Sequence, residues 1–185
     1  MNLEKMLATQ KKLDERIVKE KGLEGEDLVA NTYVALDVEL GEMANEARWF
    51  KHWSNDQEPR KESLLEEYVD ALHFFLSIAI QKKWEDALYL HEESILEIED
   101  SGFQGGLTGV FLEMKYHLVK SWMEINRDEK IENAFGCTKQ EFNFRMSWLL
   151  FVVIGLFGFG FTLEQIEQAY FAKNKVNHQR QYNGY

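Results

Sequence analysis

Two pairs of acidic residues, each with a spacing of three, most constrain what this chain can fold into. Glu39 and Glu42 form the first pair, and Glu67 and Asp70 form the second. On an α-helix this spacing places both carboxylates of a pair on one face. The residues around both pairs are apolar rather than lysines: Val38, Leu40, Met43, Tyr68, Val69, Leu72, Phe74 and Phe75. We therefore expect two helices that each carry a pair of half-buried carboxylates.

A short polar segment, residues 54–60, joins the two predicted helices. A loop this short favours antiparallel neighbours, which would bring four carboxylates into one small volume. Like charges held this closely are destabilising unless a cation lies among them. An all-oxygen set of ligands favours a hard divalent ion, so the pattern predicts Mg²⁺, with Mn²⁺ as the alternative ion. The alternative interpretation is that both pairs are solvated helix faces, where charged residues are usually found.

The remaining sequence also favours helices, since it contains a single proline and few β-branched runs. Three capping boxes are predicted, at Ser63 with Glu66, Thr138 with Glu141, and Thr162 with Gln165. The predicted helices span about 2–21, 27–49, 63–83, 84–99, 112–125, 139–157 and 163–177. The expected fold class is all-α, a bundle of six or seven helices. Four of the helices would form a core that carries the metal site, and dimerisation would complete the bundle. Residues 1–185 are expected to form one domain.

Three further segments bear on the organisation of the chain. Residues 100–109 contain four glycines and are either a loop between two halves or a flexible flap. Residues 126–136 are charged and are predicted to be a connection. Residues 148–161 carry no charge, but a membrane span needs about twenty residues. We therefore expect that stretch to be a core or interface helix, and no membrane association.

The charge and cysteine content restrict the partners and the compartment. A formal net charge of −11 argues against a nucleic-acid surface, which needs clustered lysine and arginine. It does not exclude a small anionic substrate if metals and a few cations offset the field. Cys137 is the single cysteine and has no internal disulfide partner. No secretory leader pattern opens the chain, so we expect a cytoplasmic protein.

Several stretches resemble the dimeric dUTPases, within the all-α nucleoside triphosphate pyrophosphatases. The signature of these enzymes is Glu-x-x-Glu followed by Glu-x-x-Asp on the adjoining helix, which residues 39–42 and 67–70 match. More specific wording occurs over residues 39–53 and 66–74, and residues 173–185 look like the closing motif of the family. The resemblance implies a homodimer that hydrolyses dUTP, and dUDP as well, to dUMP with Mg²⁺.

The resemblance also implies roles for individual residues. The metal ligands would be Glu39, Glu42, Glu67 and Asp70. One carboxylate of the first pair, Glu39 or Glu42, would also position or deprotonate the attacking water. The residues implied to bind substrate are Gln10, Trp53, His73, Lys173, Asn177 and Arg180.

Within the substrate set, the charges of Lys173 and Arg180 suit phosphate oxygens. Asn177 resembles the residue that binds the sugar 3′-hydroxyl. A solvated helix end is the alternative for the two cations.

The base contacts are Gln10, Trp53 and His73. Trp53 offers a flat apolar face for stacking, and His73 is alternatively a hydrogen-bonded core histidine. Family members often follow the glutamine with an asparagine, where this chain has Leu13 and Asp14. An aspartate can accept a hydrogen bond from the base N3–H but cannot donate to a carbonyl.

That departure leaves a dCTP or broad house-cleaning pyrophosphatase as an alternative function. A non-catalytic helical dimer that acts as a binding or regulatory module is the alternative from another class. For the apolar helix, a large monomer core is the alternative to a dimer interface.

Overall fold

A computed structural model describes residues 1–184, which form eight α-helices and no β-strand. The helices are α1 Leu3–Lys21, α2 Val29–Ala47, α3 Lys61–Lys82, α4 Glu92–Ser101, α5 Gly106–Met123, α6 Glu129–Phe135, α7 Lys139–Val153 and α8 Leu163–Tyr182. A 3₁₀ turn at Glu85–Leu88 and a π-helical turn at Ile154–Gly158 complete the regular structure. The predicted all-α fold is confirmed, with one or two more helices than the sequence indicated.

The chain folds into two compact units. The first unit contains residues 1–85 and the C-terminal residues from 162 onward, and the second contains residues 86–161. The expectation that the whole chain acts as one domain stays a prediction.

The first unit packs α1, α2, α3 and α8 around a shared core. The α2 and α3 helices are antiparallel, since the Arg60 amide donates to the Glu46 carbonyl at one end and Gln81 donates to Thr32 at the other. Local signals fix the helix ends: the Asn2 side chain caps α1, and Gly22 ends it in the left-handed conformation. The fully buried residues of this core include Met6, Leu36, Leu40, Met43, Tyr68, Leu72, Phe75, Leu76 and Tyr170.

The second unit is built around α7, which packs against α5. Residues 139–158 are long and apolar enough to cross a membrane by length and composition, but 61% of the most apolar window is buried inside the protein. The Trp148 indole donates to the Leu88 carbonyl at 2.9 Å, and the Ser147 hydroxyl donates to the Met114 carbonyl at 3.1 Å. These contacts agree with the interpretation of the apolar segment as a core helix.

Two predicted local features are wrong because tertiary contacts override them. The Ser63 capping box does not form: α3 begins at Lys61, and the Glu66 carboxylate bonds to Lys173 on α8 instead. The predicted helix 84–99 is broken into the 3₁₀ turn and α4. Two backbone carbonyls of that turn accept hydrogen bonds from side chains of α7: Arg145 donates to the Asp86 carbonyl, and Trp148 donates to the Leu88 carbonyl.

Other predicted boundaries move. The connection 126–136 contains α6, which the Asp128 side chain caps. The glycine-rich segment is shorter than predicted, because α4 runs to Ser101 and α5 begins at Gly106. A Cβ atom at Gly109 would lie 2.3 Å from the Gln104 carbonyl oxygen, so this close approach requires glycine. The α8 helix extends five residues beyond its predicted end, whereas the capping box at Thr162 forms as predicted.

Candidate metal centre

The antiparallel packing of α2 on α3 brings the two acidic pairs together. Carboxylate oxygens of Glu39, Glu67 and Asp70 lie within 4.8 Å of one another. All three side chains are half-buried, and Glu42 lies exposed beside them, one turn further along α2. We call Glu39, Glu67 and Asp70 the acid cluster, with Glu42 at its edge. The predicted convergence of the two helices is therefore observed.

Burial and mutual repulsion both act on the acid cluster. Burial is the largest cause that raises the pKa of Glu39 to about 7, followed by the negative charges of Asp70, Glu42 and Glu67. The pKa values of Glu67 and Asp70 are also raised, again chiefly by burial. Three carboxylates that resist ionisation at this distance form a site that a bound cation would stabilise. Because the donors are all oxygens, the residues present fit Mg²⁺ or Mn²⁺.

One lysine from α8 partly neutralises the acid cluster. Lys173 Nζ lies 2.7 Å from Glu66 Oε1 and 2.5 Å from Asp70 Oδ2. The two carboxylates respond differently to the same cation. Lys173 lowers the pKa of the exposed Glu66, whereas burial outweighs Lys173 at Asp70 and leaves its pKa raised. A single ammonium group therefore does not satisfy the buried carboxylates.

Two more residues of the predicted substrate set lie on α8 beyond Lys173. Asn177 is half-buried one helical turn further on. Arg180 is exposed, and its positive charge lowers the pKa of both Glu66 and Asp70. The last residue of the closing motif, Tyr185, lies outside the described residues. The described residues of the closing motif therefore place two cations, Lys173 and Arg180, near Glu66, next to the acid cluster.

Beside the acid cluster, five polar side chains form what we call the hydrogen-bonded chain. Its members are Gln10, Asp14, His73, Ser77 and Tyr170. Gln10 Nε2 donates to Asp14 Oδ1 at 2.8 Å and to Ser77 Oγ at 3.0 Å. Gln10 Oε1 lies 2.6 Å from His73 Nδ1 and 3.1 Å from the Tyr170 hydroxyl. The Ser77 hydroxyl lies 2.8 Å from Asp14 Oδ2. The amide of Gln10 is thus engaged on both sides.

One ring nitrogen of His73 makes no hydrogen bond to the other members of the hydrogen-bonded chain. Because Gln10 Oε1 can only accept, His73 Nδ1 is the donor and carries the ring proton. Burial and then the charge of Lys173 lower the pKa of His73 to about 3, so the ring is neutral and Nε2 is an acceptor. Nε2 is buried and has no hydrogen-bond partner among residues 1–184. Its ring stacks on Tyr170, with 4.4 Å between centroids. A ligand N–H or O–H group would complement this atom.

A cleft of about 410 Å³ opens on the same face of α3 as the acid cluster. Asp14, Phe74 and Ser77 line it, together with residues of α1 and the start of α2. Asp70, Phe74 and Ser77 follow a helical spacing of four and three, and the rise of 1.5 Å per residue separates Asp70 from Ser77 by about 10 Å. Burial is the main cause that raises the pKa of Asp14 to about 6. The cleft therefore lies on the face of α3 that carries Asp70, further along the helix.

Trp53 lies in the loop between α2 and α3, with 67% of its surface exposed. Its ring contacts Phe50 and His52 at centroid distances of 5.7 and 5.0 Å. The buried Arg48 holds this loop through the Asp56 carbonyl, to which its Nε donates at 3.1 Å. The structure brings Gln10, His73 and Lys173 towards the acid cluster and leaves Trp53 on an exposed loop.

Sequence reasoning missed three residues of this region. Glu66 was interpreted as a helix cap, and Ser77 and Tyr170 were not singled out. Asp14 was named as a departure from the family pattern that could accept from the base N3–H. For Glu66 a signal existed, because it precedes Asp70 by one helical turn and so shares its face. For Ser77 and Tyr170 no local pattern distinguishes them from ordinary core residues.

A sequence model of the family described as dUTPase matches residues 2–185 of this chain. A comparison with curated proteins gives no significant match.

Proposed function

The chain belongs to the dUTPase family, whose members are hydrolases that act on nucleotides, and we propose that it is a dUTP diphosphatase that requires Mg²⁺. The observation that carries this proposal is the acid cluster beside Lys173. Three carboxylates that need a cation and a lysine that can meet a phosphate lie within one small volume. We propose that dUTP yields dUMP and pyrophosphate, and that dUDP yields dUMP and phosphate.

We propose Glu39, Glu42, Glu67 and Asp70 as the residues that would hold Mg²⁺, with Mn²⁺ as the alternative ion. Bound there, the cation would supply positive charge that neutralises the phosphates and the charge that develops on them. This also explains how a chain with a net charge of −11 can accept a highly anionic nucleotide. The exposed position of Glu42 suits a ligand at the outer edge of the site.

Of the two proposed catalytic residues, we favour Glu39 over Glu42 as the base. Its side chain is half-buried in the acid cluster, whereas that of Glu42 is exposed at the edge, so Glu39 lies closer to the place where the cation and the water would be held. Glu39 would accept the proton of the water that attacks phosphorus. The water oxygen then forms the new P–O bond as the bridging P–O bond breaks, and the leaving phosphate oxygens keep that electron pair.

The cations of α8 are proposed to hold the phosphates. Lys173 and Arg180 would contact phosphate oxygens, and Asn177 would bind the sugar 3′-hydroxyl. His73 Nε2 has an unshared lone pair and would accept a hydrogen bond from the nucleoside once the side chains that bury it move aside. Gln10 fixes the His73 tautomer, so a direct contact with uracil would require Gln10 to exchange one of its present bonds. Trp53 would stack on the base from its exposed loop.

A second candidate function, dCTP hydrolysis, would depend on the protonated form of Asp14 in the cleft. With its pKa raised to about 6, the Asp14 carboxyl is protonated in mildly acid conditions. A protonated carboxyl can donate to cytosine N3 and accept from its amino group, whereas a carboxylate can accept from uracil N3–H. At neutral pH the ionised form predominates, which favours uracil.

We also propose that the protein acts as a homodimer, with the whole chain as one domain, in the cytoplasm. The α5 helix carries a stripe of apolar side chains that are 55% to 65% exposed: Leu112, Tyr116, Val119 and Met123. Their spacing of four, three and four places them on one face, and such a contiguous patch marks a surface that packs against another molecule. Light scattering with Val119→Glu, against the exposed polar control Glu113→Gln, would test the dimer. An unchanged dimer mass would contradict the use of this face.

The function is tested by incubation of the pure protein with Mg²⁺ and each of dUTP, dUDP, dCTP and dTTP, with phosphate and pyrophosphate release as the readout. We expect hydrolysis of dUTP and dUDP, abolished when EDTA removes the metal. A preference for dCTP would support the second candidate. No turnover of any nucleotide would favour the non-catalytic binding module instead.

A further inference from the structure

Lys173 joins two carboxylates of different character. Its side chain is 10% exposed, against 18% for Asp70 and 58% for Glu66. Asp70 belongs to the acid cluster, whereas Glu66 lies one turn earlier on α3, outside it. Glu66 opens the family-like stretch 66–74, but it belongs to neither the acidic signature nor the closing motif, and the resemblance implies no role for it. The nearly buried ammonium group therefore has one partner within the proposed metal site and one partner outside it.

Asp70 is shared between Lys173 and the acid cluster. The ammonium group lies 2.5 Å from Asp70 Oδ2, and one carboxylate oxygen from each of Asp70, Glu39 and Glu67 lies within 4.8 Å of the other two. Two positive groups on one carboxylate repel each other, so a cation bound by Asp70 weakens the ion pair between Asp70 and Lys173. A lysine that is nearly buried still needs an acceptor, because an unpaired buried charge is costly. Glu66 Oε1, already 2.7 Å away, is the acceptor that remains.

We propose that Lys173 is an exchangeable counterion of Asp70. When a divalent cation binds Asp70, Lys173 leaves that carboxylate and stays paired with Glu66, which is therefore a positioning residue. This inference rests on the metal site of the proposed function. It assigns Glu66 to the control of metal affinity, and through Lys173 to the presentation of a cation to phosphate. Arg180 acts on Glu66 as well, since its charge lowers the pKa of that carboxyl. Glu66 therefore faces both cations proposed to hold the phosphates.

The exchange predicts opposite effects of two substitutions on Mg²⁺ affinity in the absence of nucleotide. Lys173→Met removes the competitor, so Mg²⁺ binds more tightly. Glu66→Gln removes the negative charge that the displaced lysine pairs with and leaves only a neutral acceptor, so Mg²⁺ binds roughly tenfold more weakly, the size expected for the loss of one charged hydrogen bond. In the Lys173→Met background, Glu66→Gln has no further effect, because no lysine remains to be retained.

Isothermal titration of the four proteins with MgCl₂ measures these affinities. Glu62→Gln is the matched control, since Glu62 is exposed on α3 one turn before Glu66 and the substitution removes the same charge. Circular dichroism checks that each variant folds. If Lys173→Met does not fold, Lys173→Gln replaces it, and the Mg²⁺-induced rise in melting temperature serves as the second readout.

Two results would overturn the inference. If Glu66→Gln weakened Mg²⁺ binding equally with and without Lys173, the charge of Glu66 would act on the metal directly and not through Lys173. Weaker or unchanged binding in Lys173→Met would mean that Lys173 does not compete with the metal. Because no nucleotide is present, the titration is independent of the hydrolysis assay. Opposite effects without dUTP turnover would uphold the exchange and reject the proposed function, and dUTP turnover without opposite effects would do the reverse.

Discussion

The acid cluster and the hydrogen-bonded chain are neighbours in the first unit, yet their polar groups are treated in opposite ways. In the acid cluster, Glu39, Glu67 and Asp70 share one lysine and all have raised pKa values. In the hydrogen-bonded chain, Gln10 alone makes four hydrogen bonds and ties α1 to α3 and α8. Asp70 and His73, where the two regions meet, are only one helical turn apart on α3.

The difference shows where this protein keeps binding capacity for a ligand. The polar groups of the hydrogen-bonded chain find hydrogen-bond partners within the protein and so support the fold. The carboxylates of the acid cluster repel one another and are held together at a cost in stability. His73 lies between the two types, because Nδ1 is bonded to Gln10 and Nε2 is not satisfied by the protein. Substitutions should therefore separate function from stability in the acid cluster, whereas loss of the central neutral partner, Gln10, should lower stability in the hydrogen-bonded chain.

The largest expected effect is the loss of activity in Glu39→Gln. An amide cannot take the proton from water, so we expect kcat to fall by about 10² or more. Stability without Mg²⁺ should be unchanged or higher, because one repelling charge is removed. Pyrophosphate release and urea unfolding measure the two quantities, with Glu62→Gln as the control. Turnover within twofold of wild type would reject Glu39 as the base.

The hydrogen-bonded chain should respond in the opposite sense to Gln10→Ala. This substitution removes the only acceptor that the described residues offer the buried His73 Nδ1–H and one of the partners of Asp14, Ser77 and Tyr170, which should lower the free energy of unfolding by about 2–3 kcal/mol. Urea unfolding measures it, and the exposed Lys11→Ala on the same helix is the control. If Gln10→Ala lowered the free energy of unfolding no more than Lys11→Ala does, the hydrogen-bonded chain would not support the fold.

Acid should weaken Mg²⁺ binding to the acid cluster. A protonated Glu39 is a poor ligand, and its pKa is about 7, so the affinity should fall roughly tenfold from pH 8 to pH 6. Titration calorimetry across this range measures the change. In Glu39→Gln the dependence should be much flatter, and an equally steep slope in that variant would assign the titration to another group.

The smallest effect is expected for Asp14→Asn, and it should depend on pH. The folded-state pKa of Asp14, about 6, lies above its unfolded value near 4, so the folded protein binds more protons between these values. Wild type therefore loses stability as the pH rises from about 4 to 6. A pKa difference of about two corresponds to about 2.7 kcal/mol, but the Asn amide has one acceptor oxygen fewer for Gln10 and Ser77. We therefore expect Asp14→Asn to be about 1–2 kcal/mol more stable than wild type at pH 8 and no more stable at pH 4. A constant difference across this range, measured by urea unfolding, would mean that Asp14 does not titrate between these values.

The sequence by itself determined the helices that carry the site and the convergence of their carboxylates. Helical spacing, the short loop 54–60 and the capping box at Thr162 are local features, and local backbone geometry is sufficient to express them. The match of residues 39–42 and 67–70 to the acidic signature also came from local spacing.

Only the tertiary structure decided the partners of those residues. Glu66 has the sequence pattern of a helix cap, but the arrival of Lys173 from 107 positions away gives its carboxylate a stronger partner. The break after Leu88 depends on Trp148, 60 positions along the chain, and the tautomer of His73 depends on Gln10, 63 positions before it. A charged or buried polar group takes the best partner that folding brings within 3 Å, and sequence neighbours do not reveal which residue that is.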